Sequence, residues 1–296
     1  MRPPRVRPPT ATTSTRYAAL FAASLLACSE APPNPNAPCN SPGERRVVVL
    51  TTFGFARANA MRGDVVEGFD LDSHVSAAGD RVGCRQGDFT SPEGARGVDN
   101  QIARLLPIVD SMTGGAFDGL IQSSVNNGQL LVAVQLDGVD DLREDACVTL
   151  TFYRVVGMPF VGGDMRIDPD QTFDVDRAHP PARVPARIRA GVLETDSFEL
   201  PFPVAALDAR FTLDLHGARV RARVHADGSL TGVVGGGIVV QTFGETIQRF
   251  GIGAELQRIF LTTLRLMADL APDSAGTCQQ ISVGLRFESR PAFINP

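Results

Sequence analysis

The chain has 296 residues, 43% of them apolar and 21% charged, which is enough apolar material for a substantial core and an ordinary charge content for a folded protein. Tryptophan is absent and tyrosine occurs twice, so aromatic platforms that stack sugars or single-stranded nucleic acid are disfavoured. All 28 basic residues are arginine, which excludes Schiff-base and phosphate-loop lysines.

Arg2, Arg5, Arg7 and Arg16 precede an apolar run from Tyr17 to Ala27, and Cys28 follows. A basic leader with a short apolar segment reads as a secretory signal, too short to cross a bilayer as a mature helix. The ending Leu25-Leu26-Ala27-Cys28 resembles the lipobox of bacterial lipoproteins. That resemblance implies cleavage after residue 27, lipidation of Cys28 and attachment to a membrane through that lipid. Ser29 in the next position, rather than aspartate, resembles the pattern sorted to the outer membrane. A plain signal peptide cleaved nearby is the simpler alternative. Removing residues 1–27 takes away four arginines and no acids, leaving 24 arginines against 33 acids and a net charge of −9. Such a surface disfavours nucleic acid and suits cations or basic surfaces; a glycan or protein ligand is left open.

Residues 28–45 are proline-rich and predict a semi-extended tether, after which residues 46–296 read as a single disulfide-bonded globular domain. The run Arg46 to Phe55 predicts a buried strand, followed by a long Asp/Gly loop. Ile102, Leu105, Leu106, Val109 and Met112 fall at helical spacing, with Asp99 or Asn100 as the expected cap and Pro107 as a kink. A second helix is expected over Phe117 to Val125. Strands are expected over Gln129–Leu136 and Cys147–Val156, then over Arg187–Leu193, Asp208–Leu215, Ala218–His225 and Leu230–Val240, with Gly217 and Asp227-Gly228 as hairpin turns. Arg219, Arg221 and Arg223 line the wet face of one strand, a solvated row or an anion contact. Helical spacing returns over Thr246–Phe250 and Ala254–Leu270, and Cys278–Phe287 forms the last strand. The expected fold is mainly β with helical insertions, an antiparallel β-sandwich-like (α+β) single domain.

With Cys28 acylated, Cys39, Cys84, Cys147 and Cys278 remain. Outside the cytosol these read as two disulfides with three possible connectivities, and the absence of C-x-x-C spacing weakens zinc and redox readings. The expected pairing is Cys84–Cys147 and Cys39–Cys278, tying the first strand to the last.

The segment from Gly68 to Gln101 concentrates the candidate chemistry. Asp70, Asp72, Asp80, Asp88, Asp99 and Asn100 place oxygen ligands through one glycine-rich loop, which suits a calcium ion with its six to eight oxygens. The glycine and glutamate positions of an EF-hand are missing, and a solvated loop of turn and cap residues is the competing reading. Gly-Phe-Asp70-Leu-Asp72-Ser also resembles the first motif of haloacid-dehalogenase-like phosphatases. That resemblance implies Asp70 as nucleophile, Asp72 as acid/base and Asp140-Asp141 as a magnesium pair. The apolar strand before the motif and the family's lysine are absent, and so are the α/β repeats. Phe69 to Asp72, Gly83 to Phe89, Gly97 to Gln101 and the ending Cys278 to Gly284 together resemble an uncharacterised set of secreted proteins from Gram-negative bacteria, which implies a shared fold and site without an activity. The sequence therefore points to a surface-anchored, non-enzymatic binding or structural lipoprotein with calcium on the loop, with the phosphatase as the alternative.

Overall fold

The computed structural model of the chain describes residues 43–206, 209–248 and 253–296. The expected signal peptide, the lipidation site Cys28, Cys39 and almost all of the tether lie outside the described residues. In chain order the elements are β1 (Glu44–Phe55), β2 (Phe89–Thr90), β3 (Arg96–Val98), α1 (Ile102–Thr113), α2 (Phe117–Asn126), β4 (Val132–Val139), β5 (Asp145–Val156), β6 (Gln171–Val175), β7 (Ala182–Arg189), β8 (Val192–Thr195), β9 (Phe198–Ala206), β10 (Ala209–Val224), β11 (Leu230–Val239), α3 (Val240–Gln248), α4 (Ala254–Met267), β12 (Leu270–Pro272) and β13 (Cys278–Asn295).

Eight of these strands close on themselves. The antiparallel pairings run β1–β4–β5–β7–β8–β10–β11–β13 and return from β13 to β1. The sheet is therefore a barrel carrying extra strands, not the expected sandwich. The ring closes because β1 pairs on both edges, with β4 on one side and β13 on the other, which removes the free edges two packed sheets would keep. An eight-stranded barrel is just wide enough for side chains to fill. The register shows how: Phe53, Phe287, Gly232, Ala222, Leu193 and Ile188 pair successively around the wall, and the five side chains in this row are buried. At Gly232 a side chain would stand 2.6 Å from the Ala222 Cα, so only glycine fits beside the neighbouring strand.

Two punctuation signals resolve differently from the sequence reading. Gly217 is not a hairpin turn: β10 runs through it as one strand, with pairing shifts to both β9 and β11 around residues 215–219. Its φ of +60° marks a bulge. The alternating run at 187–193 is instead broken between β7 and β8 by Ala190 (φ +49°) and Gly191 (φ +74°), a two-residue hairpin with both central residues left-handed. Gly235 to Gly237 lie inside β11, within the strand expected over Leu230–Val240. The Asp227-Gly228 turn joins β10 to β11 as expected. Off the ring, β9 pairs with β10 and carries Pro201 and Pro203 opposite Asp214 and Thr212. Neither proline has an N–H to offer a further strand, which guards that edge.

The outer wall has its own rows. Gly54, Arg286, Val233, Arg221, Glu194 and Arg187 pair across six strands, and Thr52, Glu288, Thr231, Arg223 and Val192 form the next row. In the third row Gly284, Gly235 and Arg219 stand side by side. The missing side chains leave a shelf on which the Asp/Gly loop lies. A Cβ on Gly235 would meet the Phe69 ring at 2.7 Å, and one on Gly284 would meet the Glu67 carbonyl oxygen at 2.9 Å. Arg57 pins the start of the loop to the helices, pairing with Asp110 of α1 and Asp118 of α2.

Cys84, on the loop, is bonded to Cys278 at the start of β13, with Cα atoms 5.9 Å apart. This corrects the expected Cys84–Cys147 and Cys39–Cys278 pairings: the loop docks against β13, so Cys84 meets the last strand. Cys147 is disulfide-bonded as well. Closing a span of 194 residues restricts the unfolded chain strongly. Replacing Cys84 and Cys278 together by serine should cost about 2–4 kcal/mol of stability in chemical unfolding. A non-reducing peptide map should recover the 84–278 linkage; recovery of Cys84 joined to Cys147 would overturn the assignment.

Candidate metal centre

The close of the loop, Gly97 to Gln101, places three consecutive polar side chains in the interior. Asp99, Asn100 and Gln101 are exposed by 2%, 0% and 0%. The sequence reading made Asp99 or Asn100 the cap of the following helix. The helix α1 instead begins after Gln101, without a side-chain cap, because both side chains have tertiary partners. The Asn100 amide donates to the carbonyls of Ala56 (3.4 Å) and Glu67 (3.0 Å) and accepts from the Gly284 N–H (3.1 Å). The Gln101 backbone N–H donates to the Ser282 hydroxyl at 2.8 Å, and its side chain donates to the Gly87 carbonyl at 2.9 Å and accepts from Arg104 Nε at 2.8 Å. Pairing of this kind is what buried polar groups require.

Asp99 turns the other way, toward the start of the loop. Its backbone N–H donates to the Phe69 carbonyl at 2.8 Å, and its carboxylate accepts the Leu71 N–H at 2.7 Å. Those bonds bring it to Asp70 and Asp72, and one oxygen from each of the three carboxylates lies within 4.8 Å of the others. Two ligands on opposite sides of a calcium ion stand about 5 Å apart, given metal–oxygen distances of about 2.3–2.6 Å. The spacing therefore fits one ion. Asp70 Oδ1 is buried and has no hydrogen-bond partner, an orphaned acceptor of the kind a cation would satisfy. Gly97, at φ +86°, lets the backbone pass here; a Cβ at this position would stand 3.5 Å from Asp70 Oδ2.

The remaining expected ligands are placed differently. Asp88 adjoins the cluster, accepting the Ser76 N–H at 2.5 Å and adding its charge to those around Asp99. Asp80 is exposed and accepts the Ala77 N–H at 2.7 Å, serving its own turn. The amide of Asn100 is engaged with Ala56, Glu67 and β13, as described above. The phosphatase motif needs Asp70 on a parallel α/β sheet, whereas the barrel pairs antiparallel throughout its ring. Asp140 and Asp141 sit in the β4–β5 turn, where the Arg143 N–H bonds Asp141.

One acid escaped the sequence reading. Asp269, between α4 and β12, is buried and accepts the Ser282 hydroxyl (2.5 Å) and N–H (2.8 Å). Ser282 in turn accepts from Gln101, so Asp269 and the loop share one buried network. A single acid in the apolar run Leu266-Met267-Ala268-Asp269-Leu270 was the available signal.

The electrostatics follow from burial and crowding. Burial, then the nearby Asp269, Asp72 and Asp88, push the Asp99 carboxyl up to about 8 against the opposing Leu71 hydrogen bond. Burial, with Asp88 adding to it, raises Asp269 to about 7 despite its two bonds from Ser282. Asp88 is raised too, by burial first and then by Asp72 and Asp70. Arg104 is one nearby cation; it lies 4.1 Å over the Phe89 ring and donates to the Gly87 carbonyl.

A carboxyl whose pKa is higher folded than unfolded holds its proton better in the native state. Its stabilising effect is complete below the unfolded value near 3.8 and is lost as pH climbs to the folded value. In chelator, the melting midpoint should therefore fall progressively from pH 4 to about pH 8 and then level off. Asp99→Asn, which cannot ionise, should flatten much of that slope in thermal melts at a series of pH values. A midpoint that rises over the same window would refute the assignment. No family model, curated protein or solved structure matches the chain, and the functional reading rests on the geometry above.

Proposed function

We propose that the protein is an outer-membrane-anchored lipoprotein, a non-enzymatic binding module whose Asp/Gly loop is clamped by calcium. The observation that carries the metal is the convergence of Asp70, Asp72 and Asp99 within 4.8 Å, with Asp70 Oδ1 lacking a partner. These three carboxylates would hold the ion, and Asp88, whose charge acts on Asp99, would adjust the charge of the site. The ion would supply the positive charge that the crowded acids otherwise obtain only by taking up protons. Anchoring is supported by the lipobox-like ending at Cys28. A binding role is supported by the barrel's filled interior and by the grooves on its outer wall beside the loop.

Calcium that binds the native state alone stabilises it by mass action, about 2.7 kcal/mol at 100 times Kd. For a domain of this size that corresponds to about 5–10 °C in melting midpoint. Melting the purified chain with calcium and then with excess chelator should show this rise, and Asp99→Asn should abolish it. An unchanged midpoint together with no calorimetric binding would remove the metal. The anchor is tested separately by metabolic labelling with a fatty-acid analogue: label should enter the wild type and be absent from Cys28→Ala.

A further inference from the structure

Beside the acidic cluster lies a pocket of the opposite charge. A cavity of about 240 Å³ opens between the β2–β3 hairpin and the barrel wall. Its charged lining is Arg96 from the hairpin, Arg187 from β7, Arg219 and Arg221 from β10, against Asp70 and Glu194. Four guanidiniums therefore face two carboxylates, in a chain whose acids outnumber its bases.

The arginines are only partly neutralised by their contacts: Arg187 reaches two carboxylates, and Arg221 lies near enough to Glu93 to add to the hydrogen bonds that lower its pKa. Arg219 donates to the Asp70 carbonyl at 2.9 Å and Arg221 to the Gly68 carbonyl at 3.3 Å, both backbone acceptors without net charge. Arg187 approaches Glu194 at 3.5 Å and Asp196 at 3.6 Å, too far for strong charge-assisted bonds. Its Nε is buried with no hydrogen-bond partner. Arg96 makes no ion pair among the described residues. A guanidinium offers five N–H donors in a planar fork suited to oxyanions, and these four share more positive charge than the pocket balances.

The cavity is smaller than a typical ligand site of about 300–1,000 Å³, so it suits a charged head group. It does not end blind. Ser91, Ala95 and Arg221 also line a second, open groove of about 1080 Å³ along the outer wall. There, with Arg221 counted in the smaller cavity, three arginines (Arg57, Arg223 and Arg286) stand against four acids (Glu67, Glu93, Asp118 and Glu288), which suits a polar body without further negative charge. We infer that this paired cavity binds a polar ligand bearing a terminal oxyanion, with the carboxylate, sulfate or phosphate group seated among Arg96, Arg187, Arg219 and Arg221. The inference names the ligand class for the binding role proposed above and rests on that role, but not on the calcium ion.

The test is calorimetric titration of the whole purified chain at low ionic strength with sulfate and, separately, with glutarate, each in chelator and in calcium. Saturable binding of at least one anion is expected, with affinity reduced about tenfold or more in Arg187→Gln and in the surface variant Arg96→Gln. Arg189→Gln, which removes an exposed arginine of the same strand outside the pocket, should leave the affinity unchanged. Tighter sulfate binding identifies a tetrahedral oxyanion as the natural group; tighter glutarate binding identifies a carboxylate. Absence of heat with both anions, or equal weakening by Arg189→Gln, overturns the inference. The calcium-induced rise in melting midpoint, read on the same samples, separates that failure from failure of the metal site.

Discussion

The Asn100 amide is the constraint on which the rest of the structure depends. One side chain holds three separate backbone segments, taking the carbonyls of Ala56 and Glu67 and offering its oxygen to Gly284. It is completely buried, so none of these bonds competes with water, and leaving any of the three groups unpaired would carry a full desolvation penalty. The fit requires close approach of the loop backbone to β13, which the glycines of the third outer row permit. The covalent link from Cys84 to Cys278 fastens the same loop to the same strand from its far side.

Once the loop is fixed in this way, its charges follow. Asp99 is adjacent in sequence to the buried amide, and its backbone is bridged to Phe69; its carboxylate is therefore delivered to Asp70 and Asp72 whether or not the three repel. Docking energy from hydrogen bonds and burial thus assembles an electrostatically unfavourable group. Protons or a divalent ion can relieve that repulsion; the displacement of Asp99 toward neutral pH comes first from its burial, with the neighbouring carboxylates adding to it. The arginines on the other side of Asp70 cannot relieve it fully, because Arg219 and Arg221 direct N–H groups at main-chain carbonyls. Acidic and basic centres consequently stand side by side and share Asp70.

Much of this was legible in the residues. The strand character of Arg46–Phe55 and Cys147–Val156, the helices beginning at Ile102 and Phe117, and the turn at Asp227-Gly228 all follow from local periodicity and turn chemistry. The Asp/Gly loop was recognisable as a region needing external support. Several inferences that depended on a distant partner went astray. Asp99 and Asn100 stand where a helix cap would stand, and capping is a local habit that tertiary hydrogen bonds overrode. Gly217 has the φ of a turn residue but sits in a bulge, since a bulge and a turn ask the same of a glycine. Asp269 gave little signal because its partner, Ser282, lies across the β12–β13 hairpin.

The sequence by itself determined the strand-rich character, the acidic balance and the concentration of carboxylates between Gly68 and Gln101, because these depend on composition and on periods of a few residues. Only the tertiary structure decided that the sheet closes into a barrel, that Cys84 joins Cys278, and that Asp70, Asp72 and Asp99 meet while Asp80 and Asn100 serve other ends. Those outcomes depend on which strands become neighbours and on which face of a strand lacks side chains. Neither is encoded within a local window, because each strand's alternation is satisfied equally well by a sandwich or a barrel.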